Sequence, residues 1–356
     1  LLSHSSGLQR DIEELTDQEL GHSYISLSEI VELINRSSLV FKPGERWLYS
    51  NLGYALAAAI IESVTQKDFA TALKTLIFDP LLMRHTGHET NFDLIENRAS
   101  GYVQLPDGII KAGYEDKSYV IGAGSIYSTV GDLLIWSREL MNGNLLSKAN
   151  IKRLYTRQSG RYSYGWFVDS YVWPPVNDDH TAVNLHHDGG SPGFEANLSL
   201  LIRHKSVVII LTNKLPSYFQ GLSNRITNVY LGFDETPPKA DGSKELFDQL
   251  FNRSLESAKA LIEQWQKSDR KNLVPDKNAI FQIGRAYLDS EQLERASLTF
   301  SLISELVPKW WMPYLFYGIA MEKMGKKEEA IKLYNQVLEL KPDQSNAASR
   351  LAKLKK

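Results

Sequence analysis

Lys42-Pro43-Gly44-Glu45-Arg46-Trp47-Leu48-Tyr49-Ser50-Asn51-Leu52-Gly53-Tyr54 is the stretch on which the reading of this chain turns. A Pro-Gly turn delivers a polar triplet, Tyr49-Ser50-Asn51, to the mouth of an apolar segment. That segment runs through Ala55, Leu56, Ala57, Ala58, Ala59, Ile60 and Ile61 before the first charge, Glu62. Leu52, Leu56, Ala59, Ile60 and Val64 mark one helical face. The other side, Tyr54, Ala55, Ala57, Ala58 and Ile61, is apolar too, so a helix buried all round is expected. Taken alone, the triplet reads as a helix N-terminus with a Ser or Asn cap and a buried tyrosine. It also offers what a preorganised site needs, proton-transferring side chains fixed at the start of a buried helix.

The 356 residues are enough for two domains, or for one large domain with an appendage. Hydrophobic content of 43% and charged content of 23% describe a chain able to bury a core. A net charge of −2 gives no electrostatic case for nucleic acid or an anionic membrane as partner. The absence of cysteine excludes disulfides, thiolate metal ligands and cysteine nucleophiles together. The longest apolar run, residues 54–61, is too short to cross a bilayer. Residues 1–8 have neither an initiator Met nor the basic and apolar regions of a targeting signal, so the chain is expected to begin inside a longer protein.

Helical spacing at Ile25, Ile30, Val31, Leu33 and Ile34 precedes the opening stretch. A helix over 69–77 is expected to stop at Asp79-Pro80, because the residue before proline avoids the helical region. Residues 83–113 read as loop, with Pro106-Asp107-Gly108 as a hairpin turn. Ser128-Thr129 supplies cap chemistry for a helix through Leu140. Strand-like runs follow at 162–171, 181–185, 194–202 and 206–212, the last two close enough to be antiparallel neighbours. A helix over about 222–230 completes an α+β architecture, helices gathered against an antiparallel sheet.

Composition shifts at 233–243, a linker, and beyond it the sequence is helical and repeats. Gly284 and Gly318, Ala296 and Ala330, Phe300 and Tyr334, and Pro308 and Pro342 are each 34 residues apart. Small residues let paired helices approach, large ones fill the groove between them, and proline ends the second helix. This resembles the tetratricopeptide repeat, filled by Ile280, Ile283-Gly284, Tyr287, Ala296, Phe300 and Pro308, and again by Tyr314, Tyr317-Gly318, Met321, Ala330, Tyr334 and Pro342. A plain helical bundle does not explain the period. Clear repeats are expected at about 277–310 and 311–344, a capping helix at 346–355 and a degenerate first repeat over 244–266.

A second constellation, His187-Asp188-Gly189-Gly190-Ser191-Pro192-Gly193-Phe194, sits where a strand meets a glycine-rich turn. Glycines there allow close backbone approach to a ligand, and the N–H of Gly190 is a candidate oxyanion donor. A metal site at His186-His187-Asp188 is disfavoured, because adjacent strand residues point to opposite faces. His186 fits a satisfied structural histidine, whereas for His187 a functional role is placed ahead of a structural one.

The order His4-Ser5-Ser6-Gly7-Leu8, Pro43-Gly44, Tyr49-Ser50-Asn51, Gly124 with Ser128-Thr129 and Asp132, Tyr164-Gly165-Trp166, then His187-Asp188-Gly189 with Pro192-Gly193-Phe194 resembles the serine β-lactamase and penicillin-binding-protein superfamily. The nearest group is the class C β-lactamase-like one, with its D-alanyl-D-alanine carboxypeptidases and esterases, over roughly the first two-thirds of the chain. The resemblance implies an acyl-enzyme formed by the Ser of S-x-x-K, without metal or cofactor. It assigns proton relay to Tyr49, substrate positioning to Asn51, and the third motif of the cleft to His187 and Gly189, with Gly190 beside them. The implied substrate is a small ester, amide or peptide, and the implied location is periplasmic or otherwise extracytoplasmic.

One element departs from the pattern. In the family S-x-x-K precedes the His4-like segment by a few tens of residues, and here the only match is Ser268-Asp269-Arg270-Lys271, which reads as chance. Residues 1–232 are therefore expected to be an incomplete hydrolase domain, joined by 233–243 to a tetratricopeptide domain over 244–356. Such a chain should be catalytically dead, with apolar surface uncovered around Leu56 and Ile60 and an open sheet edge. The alternative is a non-catalytic scaffold whose repeats bind a protein or peptide. A histidine at 187 in place of lysine, mostly neutral at pH 7, favours substrates that lack a carboxylate.

Overall fold

The computed structural model describes residues 1–11, 24–90, 92–143, 145–170, 183–215, 222–233 and 242–355. The chain divides into two compact units. The first is Leu1–Arg98, Tyr114–Thr212 and Gly221–Leu231; the second is Ala99–Gly113, Asn213–Gln220 and Gly232–Lys356. The strands are β1 (Gly87–His88), β2 (Tyr102–Leu105), β3 (Gly108–Lys111), β4 (Ile126–Tyr127), β5 (Phe167–Ser170), β6 (Val183–Ser191), β7 (Phe194–Leu201), β8 (Ser206–Thr212) and β9 (Lys214–Leu215).

In the first unit, helix α1 (Leu27–Arg36) opens with a capping box in which Ser26 and Glu29 satisfy each other's backbone N–H. Its buried Ile30 and Ile34 pack with Leu8 and with Leu52 and Ala55 of α2 (Asn51–Thr65). The all-round burial expected for α2 is not observed. Leu52, Gly53, Ala55 and Ala58 are buried, but Ile60 is 53% and Val64 77% exposed. Periodicity reports where the apolar side chains lie; it does not report what covers them, and cover runs out towards Ile60 and Val64.

The next helix also departs from expectation. After α3 (Phe69–Leu73), capped by Asp68, the chain widens into a π-helical segment, Lys74–Phe78, and closes with one α-turn, Asp79–Leu81. The π-turn shifts the bonding so that the N–H of Asp79 reaches the carbonyl of Lys74. Pro80 then falls in the first turn of a fresh segment, where its missing N–H costs nothing.

β1 pairs antiparallel with β4, so residues 83–113 are not all loop. Helix α4 (Val130–Asn142) is capped by Thr129, as expected. Asp132 in its first turn is buried and accepts from the N–H of His85 at 2.7 Å and from Thr86 Oγ1 at 2.8 Å. Replacing it by alanine strands the N–H of His85, while Thr86 Oγ1 keeps Ser128 Oγ at 2.7 Å, so Asp132→Ala is expected to lower stability by about 1–3 kcal/mol. A urea midpoint equal to that of the parent would show that water re-satisfies that N–H.

Strands β5-β6-β7-β8 form one antiparallel sheet in that order. Helix α5 (Lys148–Tyr155) and α4 lend Leu154, Tyr155 and Leu140 to a core with Trp166, Val168, Leu185 and Leu200. The strand expected over 162–171 is shorter: Tyr162 makes isolated bridges to Ser159 and Phe167, and Gly165, at φ +84°, turns the backbone between Tyr162 and Phe167. Residues 171–182, including the start of the run expected at 181–185, lie outside the described residues. Helix α6 (Leu222–Tyr230) matches its expected span.

Two edges of this sheet matter. β6 pairs with β5 only as far as His186, so His187–Ser191 is flanked by β7 on one side and by no described strand on the other. Among the described residues β8 pairs only with β7, and along it Val207, Val208, Ile209 and Ile210 are half-buried and Leu211 is exposed.

The second unit is built of helices α7 (Ser243–Asn252), α8 (Leu255–Gln266), α9 (Lys277–Asp289), α10 (Leu293–Leu306), α11 (Trp311–Lys323), α12 (Lys327–Leu340) and α13 (Ser345–Leu354). The 34-residue period appears as one contact made twice. A Cβ on Gly284 of α9 would lie 2.8 Å from the Phe300 ring of α10, and a Cβ on Gly318 of α11 would lie 2.5 Å from the Tyr334 ring of α12. Only glycine leaves room for either ring. Ser268, head of the lone S-x-x-K match, donates to the carbonyl of Trp265 at 3.1 Å and simply ends α8.

The hairpin turn expected at Pro106-Asp107-Gly108 is present, with Leu105 opposite Gly108 and two residues between. Its allegiance was not foreseen. Strands β2 and β3 belong to the helical unit, and Val103 and Leu105 enter a core that includes Leu246, Phe247 and Tyr287. Residues 234–241 of the expected linker lie outside the described residues. No described helix is long and apolar enough to cross a membrane.

Candidate active site

Ser50 starts α2, and every polar atom it has is already engaged. Its Oγ accepts from the N–H of Gly53 at 3.1 Å and donates to the carbonyl of Gln9 at 2.8 Å, and its own N–H donates to His4 Nδ1 at 3.0 Å. Ser50 is thus a cap, and it aims the residues on either side of it. Tyr49 packs against the His4 ring, centroids 4.1 Å apart, and faces the His187 ring at 6.1 Å. Burial pushes the Tyr49 phenol above its ordinary range, partly opposed by the Arg10 guanidinium.

His187 projects from the half of β6 with an open side. Its Nδ1 lies 2.6 Å from the Asp188 carbonyl and its Nε2 3.0 Å from Tyr162 Oη. A carbonyl can only accept, so the network assigns the proton to Nδ1 and leaves Nε2 to accept from the tyrosine. Burial lowers the pKa of His187, favouring this neutral form. Gly189, two residues on, shares its face of the strand, and Gly190 lies opposite Glu195 of β7. His186 is held as a structural residue would be, with Nε2 2.9 Å from Asp169 and its ring stacked on Phe167 at 5.4 Å. Burial opposes the charge on Asp169, but hydrogen bonds from His186 and Arg161 outweigh it and hold the carboxyl down to about 2.

The structure therefore brings Tyr49 and His187 together and continues the strand through Gly189 and Gly190. Asn51 is placed differently: its Nδ2 donates to Asp11 Oδ1 at 2.6 Å, so its side chain is occupied. No sequence signal pointed to that pairing.

Three residues at the site carried no role in the sequence reading. His4 is 1% exposed, has φ +55°, and packs on Tyr162 at 4.5 Å and Tyr54 at 5.2 Å as well as on Tyr49. Its Nε2 is buried without a hydrogen-bond partner. Burial, then the nearby His187, holds its pKa down to about 4. Tyr54 donates to the Leu2 carbonyl at 2.9 Å and is pushed up to about 12 by burial. Burial raises Tyr162 too. The signal for His4 was its place in His4-Ser5-Ser6-Gly7; for Tyr162 there was none.

His4 makes a pH dependence testable. Unfolded, it titrates near 6.5; folded, near 4. Below about pH 6.5 the unfolded chain takes up a proton that the folded chain refuses, so stability falls as pH drops towards about 4 and the loss levels off below that. Urea midpoints measured across this window should show a shallower slope for His4→Phe than for the parent; an identical slope would mean that other groups set it.

Farther along the open stretch of β6, Ser191 meets a buried cation. Lys117, 8% exposed, contacts both Glu115 and Ser191 Oγ; Ser191 also donates to Glu115 at 2.9 Å, and Tyr119 Oη donates to the other Glu115 oxygen at 2.6 Å. The ammonium is balanced internally. Among the described residues no group of three or more His, Cys, Asp or Glu side chains is arranged to hold a metal.

Tyr49, at the mouth of a helix, thus faces a His-x-Gly strand that has no described strand on its other side, in an α+β fold. The family model described as Beta-lactamase matches residues 1–229, and the chain belongs to that family. It is 28% identical over 277 residues to penicillin-binding protein 4* of Bacillus subtilis, covering 70% of this chain and 59% of that protein. It is 37% identical over 116 residues to the human mitochondrial serine beta-lactamase-like protein LACTB, covering 32% of this chain and 21% of that one. The chain thus spans little more than half the length of the one and about a fifth of the other. Among solved structures, a D-amino acid amidase from Ochrobactrum anthropi superposes with a TM-score of 0.55 at 21% identity, covering 65% of this chain and 71% of that one. A penicillin-binding protein from Bacillus halodurans gives 0.53 at 21% identity, covering 65% and 71%. At that identity the structures speak to the fold.

Proposed function

We propose that residues 1–232 carry two of the three catalytic elements of an acyl-serine hydrolase that cleaves a small ester, amide or peptide. Tyr49 relays the proton, His187 and Gly189 form the third motif with Gly190 beside them, and Asn51 positions substrate once its side chain exchanges Asp11 for a ligand. The observation that carries this reading is the approach of the Tyr49 and His187 rings to 6.1 Å, from positions 138 residues apart in sequence. The nucleophile is not among these residues, because the only S-x-x-K match closes α8. Nor can Tyr49 stand in for it: a phenol whose pKa is raised by burial is protonated at neutral pH.

The test is covalent labelling. Fluorescent penicillin and a fluorophosphonate should leave the 356-residue chain unlabelled. A protein in which an S-x-x-K segment precedes residue 1 should gain one label, on that serine. Label on the shorter chain would sink the proposal. A neutral His187 and an internally balanced Lys117 favour substrates without a carboxylate.

We read the helical unit as a pair of tetratricopeptide repeats whose partner is a protein or peptide, supported by the Gly–aromatic contact repeated at 34 residues. The same contact favours a second reading, a scaffold in which the hydrolase fold is only a framework; unlabelled protein even with S-x-x-K restored would select it. A periplasmic or other extracytoplasmic location is proposed from the family.

A further inference from the structure

The hairpin of β2 and β3 is an anomaly of membership. Residues 99–113 fall inside the 1–229 stretch matched by the family model, yet they fold as part of the helical unit. Val103 and Leu105, on the same face of β2, are 8% and 2% exposed in the helical core. At the hairpin tip, Asp107 meets a built carboxylate seat. Tyr287 Oη of α9 donates to Asp107 Oδ1 at 3.1 Å, and Arg295 of α10 pairs with Oδ2. The guanidinium lies over two rings, Phe251 at 5.2 Å and Tyr287 at 5.7 Å, which themselves meet edge to face at 5.4 Å. These two cation–π contacts restrain the arginine that pairs with Asp107.

We propose that this face of the helical unit is a recognition site for a short β-hairpin bearing two alternate apolar residues and a carboxylate at the turn, and that residues 99–113 occupy it in cis. The recognition code is Val103, Leu105 and Asp107. Apolar burial supplies the contact area, and the paired carboxylate sets the register along the strand. Burial works against the charge on Asp107, but the hydrogen bond and charge of Arg295 outweigh it and hold the carboxyl below its ordinary range. Any outside partner using this face competes with the chain's own hairpin, whereas a partner on another face of the repeats does not. The inference is independent of the catalytic reading, so either can fail alone.

The test uses the full chain and a fluorescein-labelled peptide of residues 99–113, cyclised through its ends because a lone hairpin is barely stable in water. Val103→Asp with Leu105→Asp should unseat the internal hairpin. The peptide is then expected to bind this variant at least tenfold more tightly than the parent chain, and adding Arg295→Ala should weaken that binding at least fivefold. Equal binding to parent and variant would overturn the proposal, as would no binding to a variant that keeps its helical circular dichroism and cooperative melt. Should that variant fail to fold, hydrogen exchange on the milder Asp107→Asn and Arg295→Ala chains decides. Amides of 102–111 are expected to exchange at least tenfold faster with those of α13 unchanged; unaltered exchange in the hairpin would overturn the proposal.

Discussion

The 356-residue chain should leave nitrocefin and p-nitrophenyl esters at their background rates, and supplying an S-x-x-K segment ahead of residue 1 should bring turnover that Tyr49→Phe then removes. The loss in kcat expected from Tyr49→Phe is about a hundred- to ten-thousand-fold, the range for removing one positioned proton-transfer group. Burial raises the Tyr49 phenol, and no described lysine is placed beside it to reverse the shift. An ammonium brought next to the phenol would favour its ionised form and give the pair a usable base. Steady hydrolysis by the 356-residue chain that disappears with Tyr49→Phe would refute this account, since it would require a nucleophile within residues 1–356.

In the helical unit, Tyr334→Ala should cost about 3–5 kcal/mol, as expected for emptying a fully buried aromatic site. Tyr334 has no exposed surface, and its hydroxyl also donates to Glu322 at 2.5 Å. The reverse change is as informative. Gly318→Val forces a side chain to where the Tyr334 ring lies 2.5 Å away, an overpacking expected to cost about 1–3 kcal/mol or more. Because both effects come from one contact, they should not add: Tyr334→Leu in the Gly318→Val background should restore part of the loss. Gly284 and Phe300 should behave in parallel, their corresponding distance being 2.8 Å. Helical circular dichroism in urea reads the series. If Gly318→Val melts like the parent, helices α11 and α12 are not packed through this pair.

What the sequence made legible was mostly local or periodic. The hairpin turn at Pro106-Asp107, the Thr129 cap and the span of β8 follow from short-range chemistry, and the Gly–aromatic contacts follow from a period. The break expected at Asp79-Pro80 failed because a π-turn re-registered the backbone, which no proline rule anticipates. The exposure of Ile60 and Val64 was hidden because an apolar pattern is silent about its cover; only the reasoning about a missing nucleophile pointed to that face. At the site, Tyr49 and His187 were readable through their motifs. The pairing of Asn51 with Asp11, the burial of His4 and the Tyr162–His187 bond depend on distant residues meeting, and their own neighbourhoods say nothing of it.

The interleaving of the two units bears on how such a gene can be cut and rejoined. A module added at the end of a gene is attached by a single junction and can be lost or exchanged by one recombination event. Here the chain passes between units five times, after residues 98, 113, 212, 220 and 231. A breakpoint in the 233–243 interval, where composition invites one, would deliver the helices to a new host without Val103, Leu105 and Asp107. Inheritance of the helical unit is therefore tied to the sequence of its neighbour, and chimaeras built at that boundary should carry residues 99–113 with them.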